Sequence, residues 1–333
     1  MKSQGETVLG IDLLRGVAAG MVLVAHYPSF QGLSSAFWNS FHYGVDIFFV
    51  ISGFLFGKIL STGVVDLKRF VTRRFMRIYP LYFVSLLLYW LLKGDSQYLL
   101  SHLFMLQTLV SPSISAYYNP AYWSLPTELM FYMVLPVIGL FAGRPYLLLH
   151  LILIAVGFKL FIFIFSPSYD FSNIVFVSHF HLPGRLFEFV MGFVAWRMIQ
   201  IKTPVFPSRG SLFAWLIVWG LFLQFAGSAQ SSMTLEIFGP AIAALLSVPL
   251  VVAFARARLS GLESLARWSG NLSFGVYLFH IAGWRLVELA QSTWSLKLGS
   301  VIETSCAIVL TFSLAYAGHR LIEKPCINWA KRQ

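Results

Sequence analysis

Charge is scarce in this chain. Asp, Glu, Lys and Arg supply 11% of its 333 residues, where an ordinary soluble domain carries about 25%. That shortage excludes the pair of soluble domains that the length alone would allow. Cysteine is nearly absent: Cys306 lies in an apolar stretch and Cys326 near the tail, which leaves no disulfide framework and no metal-ligand spacing. Low-complexity tracts are missing, and so is any clear internal repeat of the kind that builds a transporter from inverted halves. What is present is apolar. The chain is 58% hydrophobic and 17% aromatic, in blocks of about 20 residues, each long enough to cross a ~30 Å hydrocarbon core as a helix. Helices satisfy their own backbone hydrogen bonds, which lipid cannot do. The expected fold class is therefore all-α, a polytopic membrane helical bundle. The first block begins near Leu9, carries Asp12 and Arg15, and has no small-residue cleavage site. It reads as a retained helix rather than a signal peptide.

Hydropathy, punctuated by Gly and Pro, places spans at roughly 9–30, 42–60, 77–93, 123–141, 146–166, 181–200, 211–227, 233–254, 271–290 and 297–320. A shorter stretch, 98–110, holds Ser101, His102 and Gln107; it either crosses or re-enters from the outer face. The net charge of +11 reads as basic residues retained on the cytoplasmic side, with no nucleic-acid partner. With the Lys68–Arg77 cluster inside and 98–110 not crossing, most of the 24 basic residues, Lys2 and Lys202 among them, fall in the cytoplasm, and Lys93 and Lys297 fall outside. A crossing at 98–110 would invert every later loop and erase that excess. The expectation is about ten transmembrane helices with both termini cytoplasmic. They form a single integral-membrane domain over 1–333, with 94–122 as its longest outer-face loop.

Ionisable groups inside such spans cost at least ~2.5–3.5 kcal/mol each and call for a partner or a purpose. Arg15 and His26 lie about three turns apart on the first span, on nearly one face and ~16 Å apart along the axis. Either they form a stripe joining a cation to an acid/base group, or Arg15 snorkels to lipid phosphate and His26 is an interfacial histidine. Asp46, near the outer end of the second span, either orients that imidazole or faces water. Gly53 and Gly57 on the same span read as close-packing positions. Arg73, Arg74 and Arg77 form a compact cationic patch at helical spacing, suited to bidentate phosphate binding or to anionic lipid. Glu128 lies a turn or two inside the fourth span, at about the depth of His26. Arg185 and Glu188, and likewise Arg285 and Glu288, are spaced to pair with each other. His179, His181 and His280 remain open between substrate contact and structure.

The motifs together resemble the membrane-bound acyltransferase 3 family. The resemblance runs from Leu9 to Pro325 and rests on these residues in order: Ile11-Asp12-Leu13-Leu14-Arg15-Gly16 followed by His26; Gly44-Val45-Asp46 leading to Phe54; Arg74-x-x-Arg77-Ile78-Tyr79-Pro80; Trp123-Ser124-Leu125-x-x-Glu128 with Phe131, Tyr132 and Pro136; Arg185-Leu186-Phe187-Glu188-Phe189 with Gly192; Leu272-Ser273-Phe274 with Tyr277 and His280; and Glu323-Lys324-Pro325. Here Ala282 follows His280-Ile281, where the family more usually has histidine then proline. The resemblance implies ten spans, an acyl-CoA donor (usually acetyl-CoA), and O-acylation of carbohydrates at the bacterial cytoplasmic membrane. Some members carry an SGNH esterase-like domain, and this chain resembles those without one.

On that reading Arg15, Arg73, Arg74 and Arg77 hold the phosphates of acetyl-CoA. His26 is general base or transient acyl carrier, and Glu128 and Asp46 orient it or hold its charge. Trp123, Ser124, Tyr277 and His280 contact the acceptor, a surface glycan or lipid-linked saccharide. Membrane lipids are the other partners, and no metal is called for. The competing class is a transporter, for which polar intramembrane residues are equally expected.

Overall fold

The computed structural model describes residues 8–31, 35–109, 111–165, 171–200, 205–206, 208–229, 232–295 and 297–333; Lys2 and Lys202 lie outside them. Among the described residues every regular element is helical. The long helices are α1 (Leu9–His26), α2 (Gly44–Leu55), α3 (Leu67–Lys93), α4 (Ser124–Gly139), α5 (Leu147–Phe165), α6 (Leu182–Ile199), α7 (Arg209–Ser228), α8 (Met233–Arg256), α9 (Glu263–Trp294) and α10 (Ser300–Gly318). They fall where hydropathy places the spans. Among the described residues six helical stretches are long and apolar enough to cross a membrane: α1, α3, α5, α7, α8 and the run Ser300–Arg332. The chain is thus an all-helical, multi-pass membrane protein. Elsewhere the helices are shorter or more polar; α2 has 12 residues and ends at Phe56 before a separate turn, Gly57–Thr62. Of the segment 98–110, residue 110 lies outside the described residues, and 98–109 forms short helical pieces, Leu99–Leu103 and Gln107–Leu109, far below the ~20 residues that a crossing needs.

Local chemistry sets the helix ends. Asp66 caps α3 by accepting from the Arg69 amide at 3.1 Å, which satisfies one of the orphan donors of the first turn. At the other end Gly94 takes φ +68° and donates to Trp90 O, a left-handed stop that glycine makes without steric cost. Large apolar side chains of α5, α7 and α10, such as Ile154, Phe161, Leu221 and Val309, stand exposed on the outside of the bundle. Lipid is the environment that accepts them.

Helix α1 packs between α9 and α2, and α2 lies along α6. Glycine makes the second contact possible. A Cβ on Gly53 would stand 1.9 Å from Phe189 O, and one on Gly192 would stand 2.1 Å from Val50 O. The two backbones therefore touch, as small residues permit between membrane helices. This crossing brings Asp46 and Arg185 within reach of each other.

Candidate active site

Two cavities lie toward opposite ends of α1. The larger, of about 300 Å³, is lined by Asp12 and Arg15 of α1, Ser52 of α2, Arg74 and Arg77 of α3, Glu128 and Tyr132 of α4, and Tyr277 of α9. Arg15 pairs with Asp12 at 3.9 Å. The Arg74 guanidinium lies over Phe56 at 4.9 Å and Tyr132 at 5.7 Å from the ring centroids. Its buried Nε has no hydrogen-bond partner among the described residues, and neither has that of Arg73. Arg77 stands 4.0 Å from Glu323. A single π-helical turn, His319–Glu323, carries that carboxylate, and His319 holds its second oxygen at 3.0 Å. Such turns redirect a side chain within a continuing helix. Arg73, expected beside its neighbours, is absent from the cavity wall; it stands one helical turn before Arg77 on α3, toward Leu67.

Glu128 departs from the expected arrangement. Its Oε1 accepts from Ser52 at 2.7 Å and, in a short contact, from Tyr132. The carboxylate therefore belongs to the arginine-bearing cavity, and its bonds are made there rather than to His26.

The smaller cavity, of about 160 Å³, is lined by His26, His42, Asp46, Trp123, His179 and Arg185, with Val22, Val45, Ala121 and Tyr277 closing it. Nδ1 of His26 lies 2.8 Å from Val22 O. A carbonyl only accepts, so Nδ1 carries the hydrogen, and Nε2 of the neutral ring is left as the lone-pair atom. His280, on α9, is fully buried and its ring centroid stands 5.0 Å from that of His26. Its Nδ1 likewise donates, to Tyr277 O at 2.8 Å, and its Nε2 has no partner among the described residues. His280 lines neither cavity; its ring lies against that of His26.

Asp46 neither orients His26 nor faces water. It is 2% exposed and accepts from Arg185 Nη1 at 2.8 Å. Arg185 also donates from Nε to His179 O at 2.9 Å and lies over Trp123 at 4.9 Å. The expected Arg185–Glu188 pair is present at 3.9 Å, but Glu188 has a closer partner, Lys159, at 3.3 Å. Lys159 donates as well to Gly184 O and Ile237 O, at 2.7 and 3.2 Å. Two acids and two bases thus neutralise one another inside the bundle, the condition under which buried charge is tolerated. On α9, Glu288 accepts from Trp284 Nε1 at 2.8 Å. Trp123 and Tyr277 line the smaller cavity, and Ser124 lines the larger. Sequence reading missed His42 and the roles of Lys159 and Glu323. A lone lysine in the apolar run of α5 was the available signal. Among the described residues no three His, Cys, Asp or Glu side chains gather as a metal site requires.

These features define a membrane enzyme with a cationic cavity next to an imidazole. Residues 8–320 match the acyltransferase domain of the acyltransferase 3 family, and the chain belongs to that family. It is 25% identical to the peptidoglycan O-acetyltransferase OatA of Listeria monocytogenes over 96% of its own length and 55% of that protein's. It is also 25% identical to BcsY of Komagataeibacter xylinus, a candidate membrane-bound transacylase, over 97% of this chain and 83% of the relative. A candidate acetyltransferase of the Acidianus two-tailed virus, ORF330, is 23% identical over 81% of this chain. The chain thus spans little more than half of OatA and most of the other two. No solved structure matches it.

Proposed function

We propose that this acyltransferase moves an acetyl group from cytoplasmic acetyl-CoA to a hydroxyl of a surface or lipid-linked glycan, at a bacterial cytoplasmic membrane. In this reading α1 to α10 cross ten times, both termini are cytoplasmic, and 94–122 forms the outer-face loop. Arg15, Arg74 and Arg77 hold the CoA phosphates, with Arg73 adding charge at the mouth of the site. Guanidinium forks match phosphate oxygens bidentately, and the unpartnered Nε of Arg74 supports that role. His26 Nε2 takes the acceptor hydroxyl's proton as the C–O ester bond forms. The thioester C–S bond breaks, and the CoA thiolate leaves to be protonated. Asp46 acts through Arg185, which presents Trp123 to the acceptor. Glu128 holds Ser52 and Tyr132 in the wall of the donor cavity.

One observation carries this reading. The arginine-bearing cavity and the His26 cavity are neighbours inside one bundle and share two wall residues. The name of OatA, a peptidoglycan O-acetyltransferase, supports a glycan acceptor, and that of BcsY supports acyl transfer at a membrane. The test is to incubate membranes holding the chain with [¹⁴C]acetyl-CoA and count label in the glycan fraction. Label that depends on His26 is the expected result; equal label after His26→Ala would remove its catalytic assignment.

A further inference from the structure

Val45 and Tyr277 are the residues common to the walls of both cavities. Each is nearly buried, at 6% and 5% exposure, and they stand where the wall of the arginine-bearing cavity meets that of the His26 cavity. Neither is free to move aside. The Tyr277 hydroxyl donates to Ala121 O at 2.7 Å and lies 2.6 Å from Ser124 Oγ. Phe48 abuts its ring edge-on, with centroids 5.9 Å apart. Its own carbonyl is bonded by His280. Val45 sits in the helix α2, where a β-branched side chain has essentially one rotamer.

We infer that Val45 and Tyr277 form a throat that sets the length of the acyl chain transferred. The inference rests on the donor and base assignments of the proposed function and adds to them the residues that choose the acyl group. The thioester is held from the phosphate end, so the acyl carbon arrives at the throat at a fixed reach. The inferred throat, an isopropyl group facing an aromatic ring, admits a two-carbon acyl group. Each further methylene must lie beyond the throat, in a cavity of about 160 Å³ walled by Asp46, Arg185, His42 and His179. An apolar chain there would displace the polar surroundings of these groups and offer them no hydrogen bond, which is unfavourable.

The experiment uses membranes containing the full chain, with [¹⁴C]acetyl-CoA and [¹⁴C]butyryl-CoA as separate donors and label counted in the glycan fraction. Protection of the detergent-solubilised protein against heat by CoA alone reports folding and donor binding. For the unaltered chain, transfer of acetyl well above butyryl is expected. For Val45→Ala, the butyryl-to-acetyl ratio rises by about tenfold, the low end of what one methylene's fit is worth in an apolar pocket. Tyr277→Phe keeps the ring but frees its anchor, and shifts the ratio in the same direction. Val45→Phe narrows the throat, so acetyl transfer falls while protection by CoA persists. An unmoved ratio in both Val45→Ala and Tyr277→Phe, with acetyl transfer retained, overturns the throat and leaves the acyl-transfer reading intact. No acetyl label from the unaltered, CoA-protected chain overturns that reading itself.

Discussion

The imidazoles of His26 and His280 stand with their ring centroids 5.0 Å apart, each donating its Nδ1 hydrogen to a backbone carbonyl of its own helix. Two helices distant in sequence thereby fix one ring that faces a cavity and a second ring that lies against it. The backbone bond sets the tautomer and leaves Nε2 of His26 as the basic atom. Loss of a general base costs about 10²- to 10⁴-fold, so His26→Ala should reduce kcat by that order while CoA still protects the protein from heat. His280→Ala should lower kcat by about tenfold through misplacement of His26, with KM for acyl-CoA unchanged. Steady-state rates in solubilised membranes check both. A KM change without a kcat change in His280→Ala would return this residue to a substrate-contact role.

The arginines of α3 divide by their place along the helix. Arg74 and Arg77 line the larger cavity and Arg73 does not. A hydrogen bond to a charged group contributes about 1.5–3 kcal/mol, so Arg74→Ala should raise KM for acyl-CoA by about tenfold or more. Arg73→Ala should raise it much less. The ratio of the two KM values is the measurement, and equal effects would mean that phosphate is held a turn nearer the start of the helix, at Arg73.

Glu323, 4.0 Å from Arg77 and bonded by His319, steadies a cation of the proposed donor site. Glu323→Gln should therefore weaken donor binding, seen as loss of heat protection by CoA at low concentration, with partial recovery at high CoA. Unchanged protection would reduce the carboxylate to a packing role.

Lys159, Glu188, Arg185 and Asp46 balance one another in the bundle. Removing one partner of a buried ion pair costs about 3–5 kcal/mol. Lys159→Met should lower the thermal midpoint sharply. The double variant Lys159→Met/Glu188→Gln should recover most of that loss, because no uncompensated carboxylate remains. Melting in detergent tests the cycle; additive losses would show that the two side chains act independently.

Glycine at the α2–α6 crossing should tolerate nothing larger. Gly53→Ala sets a carbon where Phe189 O stands 1.9 Å away, so the helices must separate and folded protein should be lost from membrane extracts. Gly20→Ala on α1 meets nothing within 4 Å and should melt at the same temperature or higher, since alanine favours a helix over glycine by up to ~1 kcal/mol.

The sequence by itself determined the class of protein, the position of each long helix and the side chains that carry charge into the bundle. These follow from hydropathy and local spacing, which act within one helix. It also ended the third span at 93, one residue before the left-handed Gly94. Only the tertiary structure decided who meets whom. Asp46 finds Arg185 across 139 positions, and Glu128 finds Ser52 across 76, pairings no spacing rule contains. The placement of His280 against His26, and of Val45 beside Tyr277, has the same origin. Helix order and crossing geometry set those contacts, and backbone touch at Gly53 and Gly192 sets the crossing. Partners between helices are chosen by packing, which acts between segments far apart in the chain.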